Sequence, residues 1–235
     1  MNSPNTVLKA EQLTKQVTSP EGALTILDHV DLAVRQGESV AVVGVSGAGK
    51  STLLGLLAGL DVPTGGEVWL DEQPLSVLDE DGRAALRADR VGFVFQSFHL
   101  VPALTALENV MLPLELGGHP HPERTARETL AKVGLAARAG HYPHQLSGGE
   151  KQRVAIARAF VVEPKVLFAD EPTGNLDHRT GRNVIDLLFR LNREAGTTLV
   201  LVTHDLKLAR RCRRILHMDA GRITGEESPQ PETGA

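Results

Sequence analysis

Short apolar runs alternate with longer segments in which apolar positions recur every three or four residues. The start of the chain predicts antiparallel strands at about 7–13 and 26–34, with turns at Gly22 and Gly37. Compact apolar runs predict further strands at 39–43, 67–70, 91–95, 166–169 and 198–202. The helical period predicts helices at 52–60, 79–90, 103–116, 122–133, 150–162 and 180–194, followed by a closing helix and hairpin.

Strands that alternate with helices indicate an α/β protein with a largely parallel core. The 235 residues suit one large domain. We expect a core at about 5–96 and 163–225 that starts with an antiparallel β subdomain, an inserted helical subdomain at about 97–162, and a polar tail at 226–235.

Composition narrows the classes of function. A formal net charge of −4 argues against general nucleic-acid binding, which needs an excess of Lys and Arg. The first ten residues lack the layout of a secretion signal and Cys212 is the single cysteine, so we expect a cytosolic protein. Since no apolar run approaches the roughly 20 residues that span a bilayer, a membrane role would require a partner.

The segment from Gly44 to Ser51, GVSGAGKS, fits the phosphate-binding pattern G-x-x-x-x-G-K-[ST]. It follows a predicted buried strand and precedes a predicted helix, as this motif requires. Inward-facing backbone N–H groups of such a loop bind the phosphates of a nucleoside triphosphate, Lys50 lies against the β- and γ-phosphates, and Ser51 offers its hydroxyl to Mg²⁺. The predicted nucleotide-binding residues of this segment are Gly44, Ser46, Gly47, Ala48, Gly49, Lys50, Ser51 and Thr52.

Two acids end the apolar run at 166–169. In a phosphate-loop ATPase Asp170 would help to hold Mg²⁺, and Glu171 would polarise the attacking water. The alternative is an ordinary strand end.

A third motif, LSGGE, places Ser147, Gly148 and Gly149 at a predicted helix start, which suits either a second anion site or a simple helix N-cap.

Five motifs occur in one order: the phosphate loop, Gln96 after a strand, the LSGGQ-type signature, the acids with the following PTGNLD, and His204 after a strand. Together they resemble the ATP-binding subunit of an ABC transporter over nearly the whole chain. The resemblance implies a P-loop NTPase fold of the ABC ATPase type and Mg²⁺-dependent ATP hydrolysis.

The same resemblance implies further roles. Gln96 would touch Mg²⁺ or the attacking water, and His204 would steady the γ-phosphate. The signature segment would contact ATP bound to a second copy, so that two chains enclose two nucleotides in a head-to-tail dimer. Asp177 would link the paired sites. His204 could instead be a surface histidine before a helix.

Some shorter sequence segments resemble the macrolide-exporter and lipoprotein-release group of these ATPases, including AGLD at 58–61 and TALENV at 105–110. The segments at 93–98 and 187–194 resemble the YbbA-like members of that group. This implies a permease partner with a large periplasmic domain. The chain would then lie at the cytoplasmic face of the inner membrane, with the permease's coupling helix docking at 98–104.

One position departs from the family's pattern. Most ABC ATPases place an aromatic ring that stacks on adenine about where Val17 stands, and no Phe, Tyr or Trp precedes Trp69. A valine methyl covers a purine face with less stacking. We therefore expect Val17 to contribute to loose adenine selectivity.

Several alternatives stay open. An ATP-gated scaffold of a membrane or cell-division complex would carry the same motifs and move no cargo. A translation or repair ATPase is disfavoured because the chain has neither tandem cassettes nor a long coiled-coil insert, and a GTPase because it has no N-K-x-D motif.

The histidines at 119, 121, 141 and 144 are interpreted as loop residues, Cys212 as a packing residue, and the basic run at 210–214 as a solvated helix end rather than a membrane contact.

Overall fold

The structure, a computed structural model, describes residues 5–20 and 22–229. Its strands are β1 (Thr6–Ser19), β2 (Gly22–Arg35), β3 (Ser39–Val43), β4 (Gly65–Leu70), β5 (Gln73–Pro74), β6 (Val91–Phe95), β7 (Val166–Asp170), β8 (Thr198–Val202), β9 (Arg214–Asp219) and β10 (Arg222–Glu227). Its α-helices are α1 (Lys50–Leu57), α2 (Glu80–Arg90), α3 (Ala106–Leu116), α4 (Pro122–Lys132), α5 (Gly148–Phe160), α6 (His178–Ala195) and α7 (Leu206–Ala209).

The chain divides into two units. Of the described residues, the first holds 5–20, 22–87 and 198–229, and the second holds 88–197. The predicted core and helical subdomain bounds stay a prediction. Of the predicted tail at 226–235, the first two residues belong to β10, and residues 230–235 lie outside the described part of the chain.

The first unit contains two groups of strands. β2, β1, β4 and β5 form an antiparallel sheet in that order, which confirms the predicted N-terminal β subdomain. β3 lies between β8 and β9 and is parallel to both, while β10 is antiparallel to β9. All five residues of β3 and of β8 are buried, as their continuous apolar sequences predict.

The second unit pairs β6 with β7 in parallel. Between these strands the chain forms α3, α4 and α5, which confirms the predicted helical insertion. α6 follows β7 and has a strongly one-sided apolar face that buries residues such as Val184 and Leu188. The α/β fold class is confirmed.

The basic run at 210–214 is divided by the fold. α7 ends at Ala209, and Arg214 begins β9, where its guanidinium lies 3.4 Å from Glu38 and 3.7 Å from Glu226. The interpretation as one solvated helix end is therefore wrong for Arg214, because this arginine belongs to a strand and is paired with acids.

Cys212 is buried, with 3% of its surface exposed. Burial raises the pKa of its thiol to about 12. Because the thiolate is the reactive species, and at pH 8 such a thiol is only about one part in 10⁴ thiolate, we expect an aromatic disulfide reagent to label the native protein very slowly. Absorbance kinetics in buffer and in urea measure this, and prompt labelling without urea would contradict the burial.

Candidate functional site

The phosphate-binding segment lies in the first unit, between the buried β3 and α1. Gly49 stands immediately before α1 with φ of 95°, in the left-handed region that favours glycine. A Cβ at this position would lie 2.8 Å from the carbonyl oxygen of Ile26. The sequence requirement for glycine here thus has a steric cause as well as a conformational one.

The start of α1 fits an anion. No side chain caps this helix and its first turn holds no acid, whereas α3, α5 and α6 each have a side-chain cap. Its first N–H groups and the positive end of its dipole therefore suit phosphate oxygens. The Lys50 ammonium donates to the carbonyls of Gly44 and Val45, both at 2.8 Å, so its charge is held beside the loop.

Val17 and His204 are also in the first unit. Val17 is half-buried in β1 and pairs across the hairpin with Leu24 of β2, whose surface is 55% exposed. Sequence analysis missed Leu24, because only the strand register places it opposite Val17. His204 is exposed and follows β8, after the buried Thr203.

The second unit places Gln96 and Glu171 at the same end of two paired strands. Phe95 and Asp170 are register partners at the ends of β6 and β7, so Gln96 and Glu171 each follow directly. Because the strands are parallel, both side chains lie at one carboxyl edge. Glu171 has φ of 44°, a left-handed conformation that is uncommon for a non-glycine residue and costs conformational energy.

Gln96 also contacts the segment after the acids. Its amide donates to the Asn175 side-chain oxygen at 3.3 Å, and the Asn175 amide donates to the Gln96 carbonyl at 3.0 Å. Gly174 makes this approach possible, since a Cβ there would lie 2.6 Å from Gln96 Nε2. Gln96 and the PTGNLD segment are thereby joined in one network.

The signature segment begins α5, where the N-cap interpretation is confirmed and the second anion site stays a prediction. Ser147 is the N-cap, with its hydroxyl accepting from the Glu150 N–H at 3.3 Å, and the Glu150 carboxylate accepts from the Ser147 N–H at 2.9 Å. This backbone hydrogen bond, followed by the one from the Ser147 hydroxyl, lowers the pKa of Glu150. The capping box orders the helix start that carries Gly148 and Gly149.

Asp177 caps α6. Its carboxylate accepts from the N–H groups of Arg179 and Thr180, each at 3.0 Å. A hydrogen bond from the Thr180 side chain, together with the backbone bonds, lowers the pKa of Asp177. Asp177 therefore has a capping role within its own chain, and its role in linking paired sites stays a prediction.

Sequence analysis missed two side chains of α5, the buried Gln152 and the half-buried Arg158. Gln152 is fully buried and donates to the carbonyls of Phe95 and Pro172, at 3.3 and 2.6 Å. Arg158 donates to the carbonyls of Phe98 and His99. Neither forms part of a short motif, since their partners lie 20 to 60 positions away in the chain.

The donor chemistry fits Mg²⁺. Each of the three residues predicted to hold the cation, Ser51, Gln96 and Asp170, carries a side-chain oxygen of the kind that Mg²⁺ prefers. In the described ranges 5–20 and 22–229, no group of three or more His, Cys, Asp or Glu is placed to hold a metal ion.

Within the same described residues, no helix is long and apolar enough to cross a bilayer.

Comparisons with known proteins agree with these motifs. The sequence pattern of the family described as "ABC transporter" matches residues 27–174. The chain is 56% identical to the ABC transporter ATP-binding protein YbbA of Escherichia coli (strain K12), over 94% of this chain and 97% of YbbA. It is 50% identical to the lipoprotein-releasing system ATP-binding protein LolD of Bordetella avium (strain 197N), over 92% of this chain and 95% of LolD.

A solved structure is similar over nearly the whole fold. It is the dimeric post-hydrolysis state of the ATP-binding cassette MJ0796 bound to ADP and Pi, with a TM-score of 0.87 and 42% identity. The similarity covers 95% of this chain and 99% of that one. The fold and the motif order therefore point to the same class of protein.

Proposed function

We propose a role for each site residue, starting from the family of the chain. The chain belongs to the ABC transporter family and is the ATP-hydrolysing subunit of a membrane transporter. It binds ATP and uses Mg²⁺, and it shares the cassette fold of its relatives. The observation that carries the assignment of residues is the uncapped, acid-free start of α1 behind a phosphate loop.

In the first unit, the phosphate loop binds the triphosphate and the Ser51 hydroxyl would supply an oxygen to Mg²⁺. Lys50 neutralises the outer phosphates, and His204 steadies the γ-phosphate. The bound cation supplies charge neutralisation on the phosphate oxygens. Thr52 and the other loop residues named above present the backbone N–H groups of the helix start to the same anion.

In the second unit, the Asp170 carboxylate and the Gln96 amide would supply oxygens to Mg²⁺. Glu171 accepts a proton from the attacking water as the general base. The register of β6 and β7 pairs Phe95 with Asp170, the residues directly before Gln96 and Glu171, which supports a joint action of the latter two on that water. The roles assigned to Asp170, Gln96 and Glu171 rest on the order of the motifs along the chain.

We propose a head-to-tail C2 dimer in which each copy completes the site of the other. Ser147, Gly148 and Gly149 of one copy then contact the γ-phosphate held by its partner, through the ordered start of α5. Asp177 links the two sites. The MJ0796 cassette, a relative with the same fold, is described as a dimer bound to ADP and Pi.

We propose that its membrane partner is a permease with a large periplasmic domain, on the basis of the sequence segments that resemble the macrolide-exporter and lipoprotein-release group. Its cytoplasmic coupling helix docks at 98–104, and the chain lies at the cytoplasmic face of the inner membrane through this contact. A neighbouring apolar groove of about 290 Å³ in the second unit, which Phe93, Leu112 and Leu116 help to line, suits an apolar helix.

Isolation of the native complex from membranes tests this function. We expect a permease to co-purify, and ATP hydrolysis by the purified complex to rise when cargo is added. Stimulation by assembly factors alone would favour the scaffold alternative. A protein recovered without any membrane companion would contradict the transporter assignment.

Base recognition gives a further prediction. Val17 and its cross-strand partner Leu24 offer aliphatic groups to a purine, and neither reads the exocyclic groups that distinguish adenine from guanine. We expect GTP to compete with ATP within about tenfold, a difference of about 1.4 kcal/mol in binding. Competition binding with a fluorescent ATP analogue measures the ratio, and a strict preference for ATP would contradict the prediction.

A further inference from the structure

The segment after Gln96 has an unusual backbone. Phe98 and His99 are consecutive non-glycine residues with φ of 60° and 48°, both in the left-handed region. Such conformations persist only where the surroundings hold them. The His99 ring stacks on that of Phe95, with centroids 4.8 Å apart, but a ring contact by itself does not fix two peptide planes.

Arg158 of α5 holds these two peptides. Its guanidinium donates to the His99 carbonyl at 2.7 Å and to the Phe98 carbonyl at 3.1 Å. Partial burial of the guanidinium lowers the pKa of this arginine. Its planar, forked donors suit two adjacent carbonyls in a way that a lysine ammonium does not.

Gln152 of the same helix holds the backbone on the other side of Gln96. Its amide donates to the carbonyl of Phe95, the last residue of β6, and to that of Pro172, which follows Glu171. The side chain is fully buried. One helix thus contacts the chain immediately before Gln96, shortly after it, and beside the general base.

The rest of the segment is held by a different helix. Asn109 of α3 is fully buried, accepts from the Val101 N–H at 2.8 Å, and donates to the carbonyls of Val101, Leu104 and Thr105. The stretch that lacks regular structure between β6 and α3 is therefore supported by side chains along its length. Its first part, at Phe98 and His99, is joined to α5, as is Phe95 at the end of β6.

We propose that Gln152 and Arg158 are positioning residues that fix the backbone on both sides of Gln96 to α5. This inference rests on the proposed function, because it concerns how the Gln96 segment responds to nucleotide. The signature segment is the start of α5, so Gln96 and residues 97–99 move together with the surface that meets the partner's ATP. The same movement displaces the segment proposed to contact the permease.

A spin label next to Gln96 tests the attachment directly. Ser97 is exposed and Cys212 is the only native cysteine, so a nitroxide on Ser97→Cys in a Cys212→Ala background reports on this segment alone. In the full-length protein we expect Arg158→Met to raise the rotational rate of the label by about threefold. Arg158→Lys should give an intermediate value, because it keeps the charge but loses the fork.

Two other variants complete the mobility test. Gln152→Met has similar volume but no donor, and we expect it to loosen the label as well. Arg127→Met is the matched control, since Arg127 is an exposed arginine of α4 in the same unit that pairs with Glu123. The melting temperature of each variant, taken from circular dichroism, separates local loosening from loss of the fold.

Kinetics of the purified permease complex, without the label, test the consequence for the reaction. We expect Arg158→Met to lower kcat about tenfold through misplacement of Gln96, with KM for Mg²⁺-ATP changed by less than about twofold. A purely structural role would instead lower the amount of folded enzyme. That loss would leave kcat per folded site unchanged.

The outcomes are distinct. Label motion that is equal in Arg158→Met, the Arg127→Met control and the parent would overturn the proposal. So would a loosened label with unchanged kcat, or a fall in activity that only follows the loss of folded protein. If the label loosens as expected but no permease partner affects hydrolysis in the parent protein, the attachment stands and the proposed transporter function fails.

Discussion

Replacing Glu171 with glutamine is expected to lower kcat for ATP hydrolysis by about 10²–10⁴ while ATP still binds. Glutamine keeps the size and shape of the side chain but cannot accept the proton of the attacking water. Since nucleotide then remains bound in an intact site, the variant should accumulate as a dimer with Mg²⁺-ATP. Phosphate release measures the rate, and light scattering measures the mass.

Glu163→Gln provides a matched control for this variant. Glu163 is an exposed glutamate in the same unit and, like Glu171, has a positive φ, here 51°. The control therefore makes the same chemical change on a similar backbone, and we expect its hydrolysis to equal that of the parent. Normal turnover in Glu171→Gln would remove this residue from the role of general base.

The dimer is tested independently of the rate. If Glu171→Gln with saturating Mg²⁺-ATP stays monomeric in light scattering, even with its permease present, the head-to-tail arrangement is wrong. In that case Ser147 and Asp177 would keep only the capping roles that the structure shows. The general-base assignment would be unaffected, because it concerns chemistry within one chain.

Replacing Lys50 with alanine is expected to weaken ATP affinity by roughly 10²-fold, the size expected when a charged hydrogen-bonding partner of a phosphate is removed. The ammonium is held beside the phosphate loop by the carbonyls of Gly44 and Val45. Its loss removes the positive charge that faces the outer phosphates. Isothermal titration with Mg²⁺-ATP measures the change in Kd.

Lys132→Ala is the control for Lys50→Ala. Lys132 is an exposed lysine in the last turn of α4, and its replacement also removes one positive charge. We expect the ATP affinity of this control to match that of the parent, and both variants to melt within a few degrees of it. Unchanged ATP binding in a folded Lys50→Ala protein would undermine the assignment of the phosphate loop.

Much of the fold could be predicted because its strands carry a local pattern. β3, β6, β7 and β8 are short apolar runs, and each was predicted to within one residue. Boundaries that depend on pairing were less accurate. The first hairpin extends over Thr6–Ser19 and Gly22–Arg35, well beyond its apolar part, because cross-strand hydrogen bonds continue through polar residues.

In the candidate site, too, features set by local sequence could be predicted, and features set by contacts between distant residues could not. Motifs that act through consecutive residues, such as GVSGAGKS and the acids after β7, were found because glycine conformation and strand–turn chemistry are local. The cap formed by Ser147 was also predictable as one of two alternatives, since it needs only Glu150 three positions later. The roles assigned to individual site residues stay predictions until the variants are measured.

By itself, then, the sequence determined the fold class, the order of the nucleotide motifs and the family. Tertiary structure alone decided that Leu24 faces Val17, that Arg214 joins a strand and pairs with acids, and that Gln152 and Arg158 hold the chain around Gln96. The physical reason is distance along the chain. A phosphate loop is encoded in eight successive residues, whereas the half-buried Arg158 guanidinium finds its carbonyl partners some sixty positions away only after the helix has packed against them.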